Sequence, residues 1–183
     1  TNVGRISVRQ FWPWIWRMLL KVQRSKNSLL SRLPVILKDL EGKVGKVGWF
    51  EEQRYDDKNN TPVAYVATIQ EYGYPPKNIP ARPFMRPTII EKQNEWKAIA
   101  EKGARQVIAG KQTVGNVMEA IGLKAAGDIK KTISKVTEPP LAAGTIAARL
   151  AKRSNQTTLG LLTKPLIDTG YMLNSLTNVV EDA

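Results

Sequence analysis

Neither cysteine nor histidine occurs among the 183 residues. The missing cysteine excludes a disulfide framework, a thiolate nucleophile, a zinc ribbon and an iron–sulfur cluster. The missing histidine excludes Ser–His and Cys–His dyads and imidazole-based metal sites. An enzyme built on this chain would have only carboxylates, lysines and hydroxyls to work with. Long apolar runs are also absent. The nearest approach, Phe11–Leu20, is broken by Pro13 and holds Arg17. It falls well short of the roughly 20 residues that a membrane-spanning helix needs. A secretory signal would place small residues after that run, but Lys21-Val22-Gln23-Arg24 follows instead. No membrane partner is therefore expected, although tryptophan beside arginine and lysine is also the chemistry of a segment lying on a membrane surface.

The composition that remains is that of an ordinary globular domain, 42% apolar and 24% charged. It carries 28 Lys+Arg against 16 Asp+Glu, a formal charge of +12. Such an excess suits a polyanionic partner, and it also suits a basic surface on a small assembly protein. The charge is unevenly spread: residues 1–48 hold ten basic residues and two acids, whereas residues 49–100 hold seven of each sign. Three of the five tryptophans, Trp12, Trp14 and Trp16, lie in that basic quarter. Large aromatics flanked by Arg5, Arg9, Arg17, Lys21, Arg24 and Lys26 fit an arm that docks into a partner's groove, with the cations meeting acidic protein surface or DNA. They fit equally well a segment that covers the chain's own core.

Helical spacing runs from Arg17 to Leu40, and Pro34 is expected to break it or to begin a second helix. Gly42 suits the cap, and Lys43–Phe50 reads as a strand. Arg54–Asn60 is a loop. Thr61-Pro62 predicts a helix N-terminus, with Gly73 as its end. Pro75, Pro76, Pro80, Pro83 and Pro87 predict an extended, preorganised segment over 74–88. Two long helices are expected next. One carries the stripe Ile89, Gln93, Trp96, Ala100, Gly103, Val107. The other is capped by Thr113 and carries Val114, Val117, Met118, Ile121, Ala125, Ile129, Ile133. Pro139-Pro140 stops the second. A short helix follows from Thr145, then a turn and short helix over 164–176, then a terminal strand at 177–180. The order predicts an α+β fold: a small antiparallel sheet packed with two or three long helices, plus the Pro-rich extended loop and the basic arm. Residues 1–40 read as arm and helix, and 41–183 as the domain.

Gly42–Gly48 is glycine-rich but lacks the Gly-Lys-Ser/Thr ending of a phosphate loop. Glu51-Glu52 and Asp56-Asp57 are adjacent acids in a polar loop, a pattern more typical of solvated turns than of a magnesium site. Asp168 in Ile167-Asp168-Thr169-Gly170 has one copy of a motif that aspartic proteases need twice. Its simpler role is to accept backbone N–H bonds at a turn, with Gly170 supplying the reversal. No catalytic residue, cofactor or metal is assigned, and no enzymatic activity is expected.

Two blocks then stand out as a pair. Val63–Gly73 followed by Ile79-Pro80-Ala81-Arg82-Pro83-Phe84-Met85-Arg86-Pro87 resembles a stretch of tailed-bacteriophage minor tail components, the tail-completion, neck or virion-morphogenesis proteins. Pro139-Pro140-Leu141, Arg149 and Lys164-Pro165-Leu166-Ile167-Asp168-Thr169-Gly170 recur in the same order in that family, so the resemblance spans about residues 44–180. Gln70 and Tyr72 depart from its usual Asn and Phe, and residues 1–17 have no counterpart in it. The resemblance implies a structural virion protein, assembled in the host cytoplasm. It would form a ring at the head–tail junction that joins connector or stopper to tail around the DNA channel, without base readout. A tail-terminator ring of the same virion is the neighbouring alternative. A sequence-independent nucleic-acid-binding protein is the alternative outside the family. On the ring reading, Arg82, Phe84, Met85 and Arg86 are the expected interface residues: apolar side chains enter a neighbour's pocket while arginines pair with carboxylates. The two arginines also suit pairing with the chain's own acids, Glu71 or Glu91.

Overall fold

Residues 29–152 and 163–182 are described by the structure, a computed structural model. Trp12, Trp14, Trp16 and the cations Arg5, Arg9, Arg17, Lys21, Arg24 and Lys26 lie outside the described residues. The elements run in the order α1 (Leu29–Glu41), β1 (Lys43–Gly48), α2 (Val63–Tyr72), α3 (Met85–Ile108), α4 (Val114–Lys135), α5 (Ala143–Lys152), α6 (Tyr171–Ser175) and β2 (Thr177–Asp182). The fold is α+β, as the order of sequence signals predicts.

The sheet has two strands. β1 pairs antiparallel with β2 in the register Lys43↔Asp182 to Gly48↔Thr177, which brings the far end of the chain back beside α1. Lys43 Nζ lies 2.9 Å from Asp182 Oδ1, and Lys46 Nζ lies 2.5 Å from Glu181 Oε2, so unlike charges tie the strands together. α3 and α4 form an antiparallel hairpin closed at Gly110, whose φ of 71° is left-handed. α4 packs beneath both strands. Two glycines set these distances: a Cβ at Gly103 would collide with Val117, and one at Gly122 would lie 2.8 Å from Asn178 Cβ. The helix propensity lost at each glycine is thus exchanged for close packing of α3 on α4 and of β2 on α4.

The main core joins α2, α4 and the C-terminal segment, with Val63, Phe84, Ile133 and Leu176 almost wholly buried. A second, smaller core lies at the hairpin end of α3 and α4, where Val107, Val114 and Val117 meet Ile36 from α1. Through Ile36, α1 is packed on the rest of the described domain.

Several sequence expectations need correction. Pro34 lies inside α1 without ending it. Thr61 does not cap α2. Its hydroxyl donates to Asp57 Oδ2 at 2.6 Å, and Pro62 occupies the N-cap position. The segment 74–88 is not extended throughout. Tyr74 and Ile79 form an isolated bridge around a 3₁₀ turn at Pro75–Lys77. α3 already begins at Met85, with Pro87 in its first turn, where a missing N–H is harmless. Thr113 does cap α4, accepting from Asn116 N–H at 3.2 Å.

Candidate functional site

Glu71 is the hinge of the region where the two sequence blocks meet. It closes α2, and Gly73 (φ 78°) then turns the chain back so tightly that a Cβ there would lie 2.8 Å from Ala81 N. The returning chain starts α3 directly against the Glu71 carboxylate. Oε2 accepts from Phe84 N–H at 2.7 Å and Met85 N–H at 2.9 Å. Oε1 accepts from Arg86 N–H at 3.1 Å and Arg86 Nε at 2.9 Å. An anion here meets unpaired N–H groups and the positive end of the helix dipole. Burial pushes the Glu71 carboxyl pKa up, yet the backbone donors and Arg86 together outweigh burial and hold it below its ordinary value.

The arginines of the first block serve different ends. Arg82 is buried and donates to Pro139 O at 2.7 Å, Pro140 O at 2.9 Å and Gln70 Oε1 at 3.3 Å. It therefore clamps the Pro139-Pro140 segment onto α2. Arg86 spans Glu71 and the Tyr72 ring, with its guanidinium 4.5 Å from the centroid. Phe84 is 1% exposed and meets Trp49 edge-on at 5.9 Å. Met85 is half-buried against the same core.

The second block is organised in the same way. Arg149 Nη1 donates to Lys164 O at 2.9 Å and Ile167 O at 3.1 Å, and Nε lies 3.5 Å from Asp168 Oδ1. Gly170, at φ 78°, turns the chain into α6. The paired blocks are thus two arginine-centred loops, each satisfying backbone carbonyls that no helix or strand serves.

This geometry corrects the interface assignment for Arg82 and Phe84. Both side chains point inward and are consumed by the chain's own carbonyls and core, so neither is presented to a neighbour. Arg86 retains an exposed edge but is already paired with Glu71, one of the two acids the sequence offered.

A cavity of about 250 Å³ beside Asp168 is lined by Tyr55 and Tyr171, whose rings meet at 5.4 Å. Burial, then the Asp168 charge, pushes the Tyr55 pKa up, opposite to what a tyrosyl base requires. Among the described residues no group of Asp and Glu is placed to hold a metal ion, and no helix is long and apolar enough to cross a membrane. Asp57 binds Thr61 N–H at 2.8 Å, the turn role expected of that acid.

The described surface also presents large apolar side chains. One exposed apolar set comprises Ile89 and Ile90 (72% exposed) at the start of α3 with Tyr65 and Tyr72 of α2, of which Ile89 and Tyr72 line a common groove. Beside it a groove of about 320 Å³ runs between Trp49, Thr68, Tyr72, Arg86 and Ile89. Other exposed apolar residues are Leu37 and Leu40 on one side of α1, Val44 at the start of β1 and, on a different side of the helix, Val35 (70% exposed). Val35 lines a second groove of about 750 Å³ against Val107 and Val114. Ile89 and Val107 are eighteen residues apart on one helix, so the patches are separated by about 27 Å along α3. The sequence holds a partial signal for the first patch: Tyr65 and Tyr72, spaced by seven, fall off the buried stripe of α2.

No family model, curated protein or solved structure matches this chain.

Proposed function

We propose that this chain is a structural virion protein of a tailed phage. It would act at the head–tail junction as a ring that joins the connector to the tail around the DNA channel. The observation that carries the assembly part of this reading is the pair of unlike apolar patches at opposite ends of α3. A closed ring needs heterologous contacts, in which one surface of each copy meets a different surface of the next. Two separated patches supply that, whereas a two-fold dimer needs only one. The arginine-centred blocks support the reading from the other side. Arg82 and Arg149 are spent on holding loops, through the carbonyls of Pro139 and Pro140 and of Lys164 and Ile167. The phage assignment comes from the sequence resemblance, which supplies the place in the virion.

The test is electron microscopy and light scattering of the full chain. Rings with an open centre, growing in with concentration, are the expected result. A monomer at all concentrations that binds duplex DNA tightly, with a steep loss in salt, overturns the ring reading in favour of a nucleic-acid-binding protein.

A further inference from the structure

We infer that the groove between α2 and the start of α3 is the receptor for the tryptophan-rich N-terminal segment, Phe11–Leu20, of a neighbouring copy. This rests on the reading that copies associate head to tail, and not on where in a virion they do so.

Three observations converge on that occupant. The first is chemical. The groove is lined by Trp49, Tyr72 and the Arg86 guanidinium already seated over Tyr72. Ring faces and a guanidinium plane are what an incoming indole stacks on. At about 320 Å³ the groove sits at the small end of ligand pockets, with room for an anchor side chain and not for a helix.

The second is charge. The 28 residues before α1 carry six cations and no acid. The loop that continues from Trp49 carries four exposed acids, Glu51, Glu52, Asp56 and Asp57, against two bases, Arg54 and Lys58. The larger groove beside α1 is the competing receptor, but its lining sets Arg32 and Lys38 against Asp39 and Asp182 and so carries no net charge. That groove offers the cations no net attraction, while the acidic loop favours docking.

The third is geometry. The segment leaves the domain at Leu29, beside the hairpin end of α3, whereas the groove lies at the other end of that helix. In a head-to-tail pair the hairpin end of one copy faces the α2 end of the next. The segment then starts next to the groove it fills. Twenty-eight residues reach as far as about 90 Å, so length sets no obstacle.

The experiment puts a photoreactive benzoylphenylalanine in place of Phe11 in the full chain. Equal amounts of nitrogen-14 and nitrogen-15 protein are mixed before irradiation. Cross-linked peptides within residues 64–72 and 85–89, in mixed-isotope pairs, are the expected product. The groove-filling variant Thr68→Trp should lower that yield about tenfold with the melting temperature unchanged, the loss of one good anchor. Changing Trp12, Trp14 and Trp16 together to serine should lower it comparably. Cross-links confined to single-isotope pairs, or falling elsewhere on the domain, overturn the inference. If rings are present by microscopy and no groove cross-link forms, the segment assignment fails and the ring reading stands.

Discussion

Glu71 Oε1 accepts from both nitrogens that Arg86 turns toward it, the backbone N–H at 3.1 Å and Nε at 2.9 Å, while Oε2 serves Phe84 and Met85. One buried carboxylate therefore caps α3, fixes its angle to α2 and neutralises the guanidinium beside Tyr72. Replacing it with alanine strands several donors where water has little access. Arg86 is half exposed and recovers some hydration, which trims the penalty. Glu71→Ala should cost about 2–3 kcal/mol, and Glu71→Gln less because one oxygen remains to accept. In a chain of this size, thermal unfolding should show the alanine variant melting roughly 5–10 °C lower. An unchanged melting temperature would mean that the cap does not hold α3.

The same carboxylate predicts the acid limb of stability, together with Asp128. Burial raises the Asp128 pKa, but bonds from Lys124 and from Trp96 Nε1 at 2.9 Å outweigh it, so its value too lies below the ordinary one. For groups lowered on folding, the unfolded chain binds protons first as the pH falls. Their contribution is complete above the ordinary carboxylate range and is lost progressively below about pH 4. Lys124 has the opposite sign. Its bonds to Asp128 and then Glu95 raise its pKa, so its contribution is complete below its ordinary 10.5 and is lost as the pH rises past that. Urea midpoints measured across pH should decline on the acid side, and Glu71→Gln and Asp128→Asn should flatten that decline.

Phe84 separates the core from the interface. The spacing of prolines and arginines around it suited a side chain held out to a partner, whereas the structure packs it against Trp49. Phe84→Ala should therefore lower stability by about 3–5 kcal/mol, as large cavities in cores do. Denaturant unfolding checks this directly. A stable variant defective only in assembly would return Phe84 to the interface.

How much of this was legible in the sequence follows from the range of each interaction. The Thr113 cap and the end of α2 at Gly73 depend on residues within one turn, and the sequence shows both. The pairing of β1 with β2 could be read only as two strand candidates, because their register joins residues 129 to 139 positions apart, from Gly48↔Thr177 to Lys43↔Asp182. Arg82 was misread for the same reason. The carbonyls it satisfies belong to Pro139 and Pro140, which nothing in its own neighbourhood announces. The apolar patches were illegible for a different reason: Ile89 fits the buried stripe of α3, and only the position of α2 decides that it stays exposed.

Gly103 tests the helix hairpin by a change that propensity alone would favour. Alanine in a helix interior gains about 1 kcal/mol over glycine. Here the added methyl meets Val117 on the facing helix, and overpacking costs about 1–3 kcal/mol. Gly103→Ala should be destabilising on balance. The double variant with Val117→Ala should recover more than the two single effects predict, because the residues share one space.

Unlike patches make a prediction about mixing that like patches do not. Leu37→Asp disables the α1 face and Ile90→Asp disables the face at the start of α3. Both positions are exposed, so each variant should fold and melt like the parent, and each alone should be monomeric. Mixed together, the Ile90→Asp copy still offers an intact α1 face, and the Leu37→Asp copy still offers the face that receives it. One contact forms and the return contact cannot, so light scattering should report a one-to-one dimer that grows no further. If each patch instead paired with its own kind, Leu37→Asp would dimerise alone through its intact α3 face. Ile90→Asp would do the same through α1, and mixing would add nothing. The head-to-tail arrangement thus stands on the dimer appearing in the mixture and in neither variant separately.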